Sequence, residues 1–559
     1  MKCTSCGAAP KRPDRPHVYL KQEPISCAGC GARVQARTVL KGGEVFRLQH
    51  CAACGTSEER VGGDASSYLA DFMAQGRAEG SGARMLKTTT AACPTCLDLI
   101  DAKVLVRGGK VFFDKACPRC GPSVALVSED ADWYVGAYAY SRAGSQPLVQ
   151  ATSVIRGCPE DCGLCPDHEQ HTCVPIVEIT DHCNLACPIC IADNAQGHHL
   201  PLERFRRIVD GLVASEGQLE TLALSGGEPT SHPQLLELID EATRPQIGRV
   251  VLLTNGIRLG QDRALAQKLK QKGAYVTLQL DGFTAQAHTR LRGRDLTAQK
   301  EAALAALEEL QIPTQLLMTV ARGVNEAELG KMVELLLSKE HILSLNVQPI
   351  TFSGRGGGTF PADPMDRITV PGVLKAIEAQ TGGKVALSDF SPLPCPSPHC
   401  VALTYLLKLQ DGSFVPFSRF ADLRKHGGLL RNSASLPALP EIEQALQDVI
   451  YDLFARQDEV PQGRGILGAL RRAVDVMFPS QALAFREALR QGERQAKSIF
   501  VHHYMDAYDF DLERLRKCCN HYPLADGRLM PACGFNLFHR GAAKGPSTPR
   551  ASFARVPGT

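Results

Sequence analysis

The sequence predicts an α/β protein whose centre is a partial (β/α)6 barrel. Short apolar runs alternate with amphipathic stretches six times between residues 176 and 350, a pattern typical of a parallel sheet covered by helices. Before this region, Cys-x-x-Cys pairs flank Gly-Gly turns, which predicts cysteine-rich β-ribbons. After it, residues 385–540 hold five more cysteines in a less regular stretch. We therefore expect ribbons first, a barrel second and a cysteine-bearing extension last.

The barrel is predicted from six strands and the helices between them. The strands are expected at 176–180, 221–225, 249–254, 274–280, 314–320 and 343–349. The helices are expected at 202–214, 233–242, 263–272, 297–310 and 326–338. Crossovers between parallel strands are right-handed, which curves the sheet. Ligands should then collect at the carboxyl ends of the strands.

Composition limits the classes of protein that this chain can belong to. The 559 residues carry a net charge of +3 without a strongly basic block, which argues against nucleic acid as a partner. The first residues lack the apolar stretch of a secretory signal, and no run of about 20 apolar residues predicts a membrane span. We expect a cytoplasmic protein in which most of the 22 cysteines bind metal rather than form disulfides.

The N-terminal cysteines form an internal repeat. In each copy, two Cys-x-x-Cys pairs are separated by 20 residues that contain a Gly-Gly turn. Four thiolates on such a ribbon suit tetrahedral zinc or a rubredoxin-like iron. The predicted ligands are Cys27, Cys30, Cys51 and Cys54 in the first copy, and Cys93, Cys96, Cys117 and Cys120 in the second. Cys3 and Cys6 are left over, and could replace one pair in the first ribbon or form half of a third site.

A different spacing follows the first barrel strand. Cys183, Cys187 and Cys190 lie on one short loop as Cys-x3-Cys-x2-Cys. Three thiolates can hold three irons of a cubane and leave the fourth iron open, whereas structural zinc normally takes four protein ligands. A zinc knuckle or incidental cysteines are the alternatives for a triad met alone.

Polar and glycine residues mark the ends of the next three strands. The second strand ends in Gly226, Gly227 and Glu228, where glycines permit close backbone approach and the carboxylate offers a negative charge. The third ends in Thr254 and Asn255, and the fourth in Gln279. For these last three residues, strand-end capping and turn chemistry are the alternative explanation.

Two further cysteine sets flank the barrel. Upstream, a Pro/Gly-rich loop carries Cys158, Cys162, Cys165 and Cys173, enough for a complete auxiliary [4Fe-4S] cluster or for a zinc site. Downstream, a third cluster is predicted from Cys395, Cys400, Cys518, Cys519 and Cys533. Four ligands suffice, so one of Cys518 and Cys519 is expected to be spare. Buried thiols without a metal are the alternative for this set.

The triad, its strand and the Gly-Gly-Glu turn together resemble the radical S-adenosylmethionine (SAM) superfamily. The resemblance implies that SAM chelates the open iron and that an electron from the cluster cleaves it to a deoxyadenosyl radical. It implies that Cys183, Cys187 and Cys190 hold the catalytic cluster. It further implies that Ile189 packs against adenine, that Gly226, Gly227 and Glu228 bind the SAM ammonium, and that Thr254, Asn255 and Gln279 line its ribose and carboxylate. The family usually has serine where Gln279 stands.

The segment 157–193 and the C-terminal cysteine motifs resemble one branch of that superfamily. It is the branch of the tetraether lipid synthases and the dihydro-hydroxymethylpterin dimethyltransferase. The implied fold is a partial (β/α)6 radical SAM barrel with N-terminal Cys-rich β-ribbons and a C-terminal Fe–S-binding extension. The implied cofactors are the SAM-binding [4Fe-4S] cluster, SAM itself, auxiliary [4Fe-4S] clusters and a rubredoxin-like iron or zinc. The ribbon at 27–54 is additional to this plan.

These inferences predict six segments. They are a zinc-ribbon-like unit at 1–85, a rubredoxin-like ribbon at 86–150, an auxiliary-cluster loop at 151–175, the radical SAM barrel at 176–352, an auxiliary-cluster region at 385–540 and a disordered tail at 541–559.

The resemblance implies radical chemistry at an unactivated C–H carbon. The main interpretation is C–C coupling of lipid chains, as in tetraether or membrane-spanning lipid synthesis, and the alternative is C-methylation of a pterin precursor. A zinc-binding scaffold with a degenerate barrel is the alternative from another class. The expected partners are a small-molecule or lipid substrate and a reducing donor such as flavodoxin or ferredoxin, without nucleic acid. An amphipathic stretch at 465–490 could touch a membrane surface, although a packed helix pair broken at Pro479 is the favoured explanation.

Overall fold

The computed structural model describes residues 10–77, 82–155, 157–192, 197–354, 360–361, 363–394, 396–426, 440–481, 483–524 and 526–540. Several predictions lie outside these ranges, namely those for Cys3, Cys6, Cys395 and the tail 541–559. Within the ranges, two four-stranded ribbons precede one large mixed sheet.

The two ribbons are antiparallel and have the same construction. The first contains β1 (Val18–Ser26), β2 (Arg33–Lys41), β3 (Glu44–Cys51) and β4 (Gly55–Gly62), followed by helix α1 (Ala65–Arg77). The second contains β5 (Arg84–Ala92), β6 (Leu99–Arg107), β7 (Lys110–Cys117) and β8 (Gly121–Ser128), followed by α2 (Ala131–Gly136). The predicted hairpins are confirmed.

The repeat extends from the turns to the helix caps. Gly42 and Gly43 both have positive φ, of 60° and 82°, which only glycine adopts without strain in a two-residue hairpin turn. The helix after each ribbon is capped by an aspartate: Asp64 accepts from the Ser67 amide at 2.9 Å and Asp130 from the Trp133 amide at 2.8 Å. Such caps fix where each helix begins.

The six predicted barrel strands are present, parallel and in chain order. They are β9 (Val174–Thr180), β10 (Leu219–Gly226), β11 (Ile247–Thr254), β12 (Tyr275–Gln279), β13 (Thr314–Val320) and β14 (Ile342–Pro349). The helices are α3 (Leu202–Glu216), α4 (Leu235–Ala242), α5 (Ile257–Gln261), α6 (Arg263–Gln271), α7 (Ala285–Arg292), α8 (Thr297–Glu309) and α9 (Leu329–Ser338). Their apolar faces and the strands form one large buried core, as the 3.6-residue periodicity predicts.

The C-terminal region extends the same sheet at both edges. After α10 (Val370–Gln380), the strands are β15 (Ser391–Pro392), β16 (Val401–Lys408), β17 (Phe414–Pro416), β18 (Ala496–His502), β19 (Asn520–Pro523) and β20 (Leu529–Pro531). β18 pairs in parallel with β14, and β19 in parallel with β9. The cysteines of this region are therefore carried back to both sides of the barrel.

A helical unit occupies the stretch between β17 and β18. It contains α11 (Pro440–Arg456), α12 (Gly463–Met477) and α13 (Phe485–Gln495). The helix pair breaks around Pro479, and α12 buries Ile466, Leu470 and Met477 against protein. Within the described ranges, every helix is too short or too polar to span a bilayer.

Buried ion pairs attach the ribbons to the rest of the molecule. Glu513, on the short helix α14 (Leu512–Arg516), is buried and accepts from the Lys87 ammonium at 2.5 Å, the Gln22 amide at 3.0 Å and the Tyr138 hydroxyl at 3.1 Å. Glu169, in the loop before the barrel, is paired with Arg15, His17 and Arg37. A buried carboxylate with one partner removed is costly, so these contacts fix the positions of both ribbons.

We expect the Lys87→Met substitution to destabilise the protein strongly. It leaves the Glu513 carboxylate buried without its cation, which costs about 3–5 kcal/mol. The thermal unfolding midpoint of the metal-loaded protein measures this. Lys41→Met is the matched control: it breaks the exposed Lys41–Glu58 pair of the first ribbon and should cost about 1 kcal/mol or less. Equal shifts for the two variants would contradict the role given to Glu513.

Candidate active site

The cysteine loop begins where β9 ends. The Cys190 amide donates to the Cys187 carbonyl at 3.2 Å, which closes a tight turn between two of the three thiols. The Leu185 amide donates to the Cys183 sulfur at 3.4 Å. Burial raises the pKa of Cys183 to about 11, and the charges of Glu228, Cys187 and Cys190 add to that rise. Thiolates gathered in this way need a cationic centre to compensate their charge, which iron would supply.

The Gly-Gly-Glu turn lies directly against the start of this loop. The Gly227 amide donates to the Thr180 carbonyl and the Glu228 amide to the His182 carbonyl, both at 2.7 Å. A Cβ on Gly226 would stand 2.0 Å from the Thr180 oxygen, and one on Gly227 would stand 2.2 Å from the His182 oxygen. Only glycine permits this approach, so the two strand ends are held together by backbone alone.

The Glu228 carboxylate is buried and organises the neighbouring strand end. One oxygen accepts from the Thr230 amide and hydroxyl at 3.0 and 2.6 Å and from the Thr254 hydroxyl at 2.7 Å. The other accepts from the Asn255 amide at 2.8 Å. An ionised carboxylate offers about four acceptor positions, two on each oxygen. Three of the four donors crowd the first oxygen, so a further donor, such as an ammonium group, would approach the second oxygen, which accepts from the Asn255 amide alone.

A buried lysine that the sequence analysis did not single out connects the third and fourth strand ends. Lys300 of α8 donates to the Asn255 carbonyl at 2.6 Å, and to the Gln279 carbonyl and side-chain oxygen at 2.6 and 2.8 Å. Lys300 shares the buried stripe of its helix with Ala303 and Leu307. A lysine on an apolar helix stripe is a sequence signal that could have revealed it.

An arginine–aspartate pair supports the cysteine loop from the other side. Arg292 donates to both oxygens of Asp281, at 2.6 and 2.9 Å. Although burial opposes its charge, Asp281 and a contact with the Cys187 sulfur raise the pKa of Arg292. Ile189 is buried beside Leu291 and Phe352. The triad thus has a fixed cation on one side and an apolar wall on another.

The two ribbons each gather four sulfurs into one small volume. The ligand atoms of Cys27, Cys30, Cys51 and Cys54 all lie within 4.8 Å of one another, and so do those of Cys93, Cys96, Cys117 and Cys120. This spacing suits one tetrahedral ion in each ribbon.

The upstream and downstream cysteine sets meet at Cys518. Burial raises the pKa of Cys162 well above its ordinary value, with further contributions from Cys158, Cys518 and Cys165. Burial likewise raises the pKa of Cys533 to about 12, and Cys400 adds to that rise. Burial also raises the pKa of Cys518, and the charges of Cys533 and Cys400 add to that rise. Cys518 therefore lies near Cys162 of the upstream set and near Cys400 and Cys533 of the downstream set.

Cys173 and Cys519 lie together on a different side. The Cys173 amide donates to the Cys519 carbonyl at 2.8 Å, and the Cys173 sulfur lies 3.7 Å from the His171 ring nitrogen. Both cysteines line the cavity inside the barrel. The structure thus separates Cys173 in environment from the three cysteines that precede it along the chain.

The barrel encloses a cavity of about 240 Å³. Apolar side chains form most of its wall. A polar row crosses neighbouring strands, where the Thr277 hydroxyl donates to the Gln315 side-chain oxygen at 3.2 Å and the Gln315 amide donates to the Ser344 hydroxyl at 2.9 Å. The side-chain oxygen of Asn346 is buried there and accepts no hydrogen bond from the described residues. Such an atom is costly unless a ligand or water donates to it. The cavity is therefore equipped to receive hydrogen-bond donors.

Comparison with known proteins agrees with this geometry. Residues 177–336 match the family model described as "Radical SAM superfamily". The chain is 30% identical over 491 residues to the 7,8-dihydro-6-hydroxymethylpterin dimethyltransferase of Methanocaldococcus jannaschii, an alignment that covers 82% of this chain and 94% of that protein. The chain belongs to the radical SAM superfamily.

Other similarities are narrower. The GTP 3',8-cyclase of Syntrophomonas wolfei is 35% identical over 178 residues, so the chain spans about half (52%) of that relative's length and the match covers 30% of this chain. The structure of SuiB from Streptococcus suis bound to S-adenosylmethionine is 16% identical, with a TM-score of 0.28 over 32% of this chain and 40% of that one. The model described as "HMPTM N-terminal zinc ribbon domain" matches residues 85–129, the second ribbon.

This radical SAM enzyme therefore uses a [4Fe-4S] cluster and SAM, and the residues present fit both groups. The triad offers three thiolates, the Gly-Gly turn lets the backbone of the second strand end approach them closely, and one Glu228 oxygen accepts from the Asn255 amide alone. When bound, the cluster and SAM supply one-electron chemistry that attacks unactivated C–H bonds, for which no side chain suffices. The extra cysteine sets and the zinc ribbon suit auxiliary iron or zinc.

We expect Gly227→Ala to abolish loading of the triad. The new methyl group would meet the His182 carbonyl oxygen, so the turn and the cysteine loop must move apart. Iron content and SAM binding of the anaerobically reconstituted protein measure the loss. Gly211→Ala is the matched control, because Gly211 lies on the exposed side of α3 with open space around it and alanine favours helix by about 1 kcal/mol. Normal iron and SAM binding in Gly227→Ala would contradict the proposed cradle.

Proposed function

We propose that this enzyme methylates carbon atoms of a reduced pterin. The relative that matches over most of both chains is named as a dimethyltransferase acting on 7,8-dihydro-6-hydroxymethylpterin. The observation that carries the proposal is the cavity inside the barrel, which is small and bears amide and hydroxyl groups on adjacent strands. A pterin is a compact bicyclic ring edged with amide and amino groups, and it suits such a wall.

The same observation disfavours the lipid interpretation, which was the main expectation from sequence. Pockets for drug-sized ligands measure roughly 300–1,000 Å³, and this cavity is smaller, at about 240 Å³. Two long alkyl chains would need a longer and more voluminous tunnel. The findings thus support the pterin alternative better than the coupling of lipid chains. A scaffold with a degenerate barrel is disfavoured because the triad, the glycine cradle and Glu228 are all intact.

We assign the site residues as follows. Cys183, Cys187 and Cys190 hold the catalytic cluster. Glu228 accepts from the SAM ammonium, while the Thr254 hydroxyl and the Asn255 amide hold the Glu228 carboxylate in place. Gln279 faces the ribose and is oriented by Lys300. The predicted ribbon and auxiliary-cluster ligands retain those roles in the proposal, with Cys518 placed between the two auxiliary sets.

Recognition of the ring is assigned to the polar wall of the cavity. The Asn346 side-chain oxygen accepts from the amino group of the pterin, which satisfies its buried acceptor. Gln315 is held by Thr277 and Ser344 and presents an amide to the same space. These side chains orient the ring toward the carboxyl ends of the strands, where the cluster loop lies. Orientation of this kind places the reacting carbon in line with the radical.

The proposal includes a reducing environment. The cluster requires an electron from a small protein donor of the flavodoxin or ferredoxin class. We propose a cytoplasmic location, because thiolates of this number stay reduced there. We do not propose peripheral membrane contact, since α12 packs Ile466, Leu470 and Met477 against protein, although Val476 of the same helix is exposed.

The decisive experiment is an anaerobic assay of the reconstituted protein with SAM and dithionite. We expect deoxyadenosine and a methylated pterin when dihydro-hydroxymethylpterin is supplied with a source of methyl carbon. Cys187→Ala should abolish deoxyadenosine formation while the ribbons keep their metal. Products from isoprenoid lipid and none from pterin would overturn the proposed substrate. Deoxyadenosine formation that persists in Cys187→Ala would overturn the assignment of the cluster.

Asn346→Leu should weaken substrate recognition without affecting SAM cleavage. The substitution keeps the side-chain volume and removes the acceptor, so we expect the KM for the pterin to rise about tenfold or more. Deoxyadenosine formed without substrate should stay at the wild-type rate. Leu317→Met, an apolar change in the wall of the same cavity, is the control and should leave the KM nearly unchanged. An unaltered KM in Asn346→Leu would remove this residue from recognition.

A further inference from the structure

A second cavity, of about 540 Å³, opens at the opposite end of the barrel. It lies where β12, β14 and β18 begin, at the amino ends of the strands, away from the cluster loop. We call this cavity the basic vestibule. Its wall includes five cationic side chains, Lys270, Lys408, Arg490, Arg494 and Lys497. Only two carboxylates, Glu340 and Glu493, share that wall.

The two carboxylates do not balance these cations. Glu340 pairs with Lys408, and Glu493 pairs with Arg249, which lies outside the vestibule. The remaining four cations, Lys270, Arg490, Arg494 and Lys497, form no ion pair with any described residue. Four positive charges around one cavity repel each other and attract anions.

The crowding of cations affects their ionisation. Burial lowers the pKa of Lys497 to about 8, and Lys408 contributes to that fall while Glu340 opposes it. Burial also lowers the pKa of Arg486, and the neighbouring Arg490 adds to the effect. Lys497 spends two of its donors on the backbone, at the carbonyls of Lys339 and Ile342. The Lys497 charge is therefore held in place, whereas Lys270 and Arg494 are exposed to solvent at the opening.

The basic vestibule adjoins the cavity in which we place the pterin. Tyr275, Leu343, Glu493 and Ala496 line both spaces. The Arg249–Glu493 pair stands at this boundary, with both residues on the wall of the inner cavity. From Tyr275 to Gln279, at the SAM end of the same strand, the path is roughly 13 Å at 3.3 Å per residue. A ring with an extended side arm can bridge that span.

We propose that the basic vestibule binds a phosphoryl group, either on the side arm of the substrate or as a free anion. Phosphate and diphosphate carry two or more negative charges and accept paired hydrogen bonds from arginine, which matches four cations better than a single carboxylate would. For the substrate-borne group, the inference rests on the proposed function. The enzyme would then act on a phosphorylated pterin whose ring lies in the inner cavity and whose phosphate lies at the amino ends of the strands.

The test measures binding of inorganic pyrophosphate to the full chain loaded with cluster and SAM, by calorimetry at low salt. We expect wild type to bind, and the double variant Arg490→Gln and Arg494→Gln to bind about tenfold more weakly or worse. The control is Arg471→Gln with Arg472→Gln, two exposed residues of α12 outside the cavity, which should change affinity by less than about twofold. No binding to wild type at millimolar pyrophosphate, or equal affinity in all three proteins, would overturn the proposal.

A second measurement distinguishes a phosphoryl group on the substrate from a free anion. It also separates failure of this proposal from failure of the proposed function. If the group belongs to the substrate, the double variant raises the KM for a phosphorylated dihydropterin at least about tenfold and leaves the unphosphorylated form unaffected. If it is a free anion, the KM for both pterins is unchanged while pyrophosphate affinity still falls. Pyrophosphate binding needs no turnover, so its result holds even where no pterin is methylated. Should the double variant fold poorly, Lys270→Gln, at an exposed position of α6, should weaken pyrophosphate binding in the same direction.

Discussion

The backbone contact between the first two strand ends is the constraint on which the active site depends. Two amides of the Gly-Gly-Glu turn donate to carbonyls at the start of the cysteine loop, and no side chain intervenes. The position of the triad is therefore set by the sheet itself. Glu228 accepts hydrogen bonds from Thr254 and Asn255 at the end of the third strand. Lys300 donates to Gln279 at the end of the fourth. Four strand ends are thus linked by one continuous chain of hydrogen bonds.

The sequence predicts what depends on local periodicity. The six barrel strands, their helices and both Gly-Gly hairpins are predictable because the apolar periodicity and turn residues that mark them are visible within a window of roughly 11–18 residues. The polar face of β14, with Ser344, Asn346 and Gln348 at every second position, was visible as alternation in a strand. That this face lines a cavity could not be predicted, because an inward polar face is recognised only after the sheet has closed around the cavity.

Long-range pairing limits what could be predicted. The region 385–540 shows little regular alternation in sequence, and its strands β18 and β19 join the two edges of a sheet built elsewhere in the chain. That pairing carries Cys518 to the upstream set and leaves Cys173 beside Cys519, a grouping that no spacing indicates. The role of Lys300 is not visible in the sequence, because its acceptors are the carbonyl of one strand end and the side-chain amide of another, and only the fold brings these together.

The attachment of the ribbons through Glu513 has a consequence in time. Gln22 and Lys87 are synthesised more than 400 residues before their shared partner. While the barrel is still being translated, both ribbons are complete, yet the surface that will cover Lys87 does not exist. Their metal ions can bind at this stage, since each set of four sulfurs lies within a single ribbon. The nascent chain can therefore fold both ribbons, each with its four sulfurs gathered, before its last segment attaches them to the barrel.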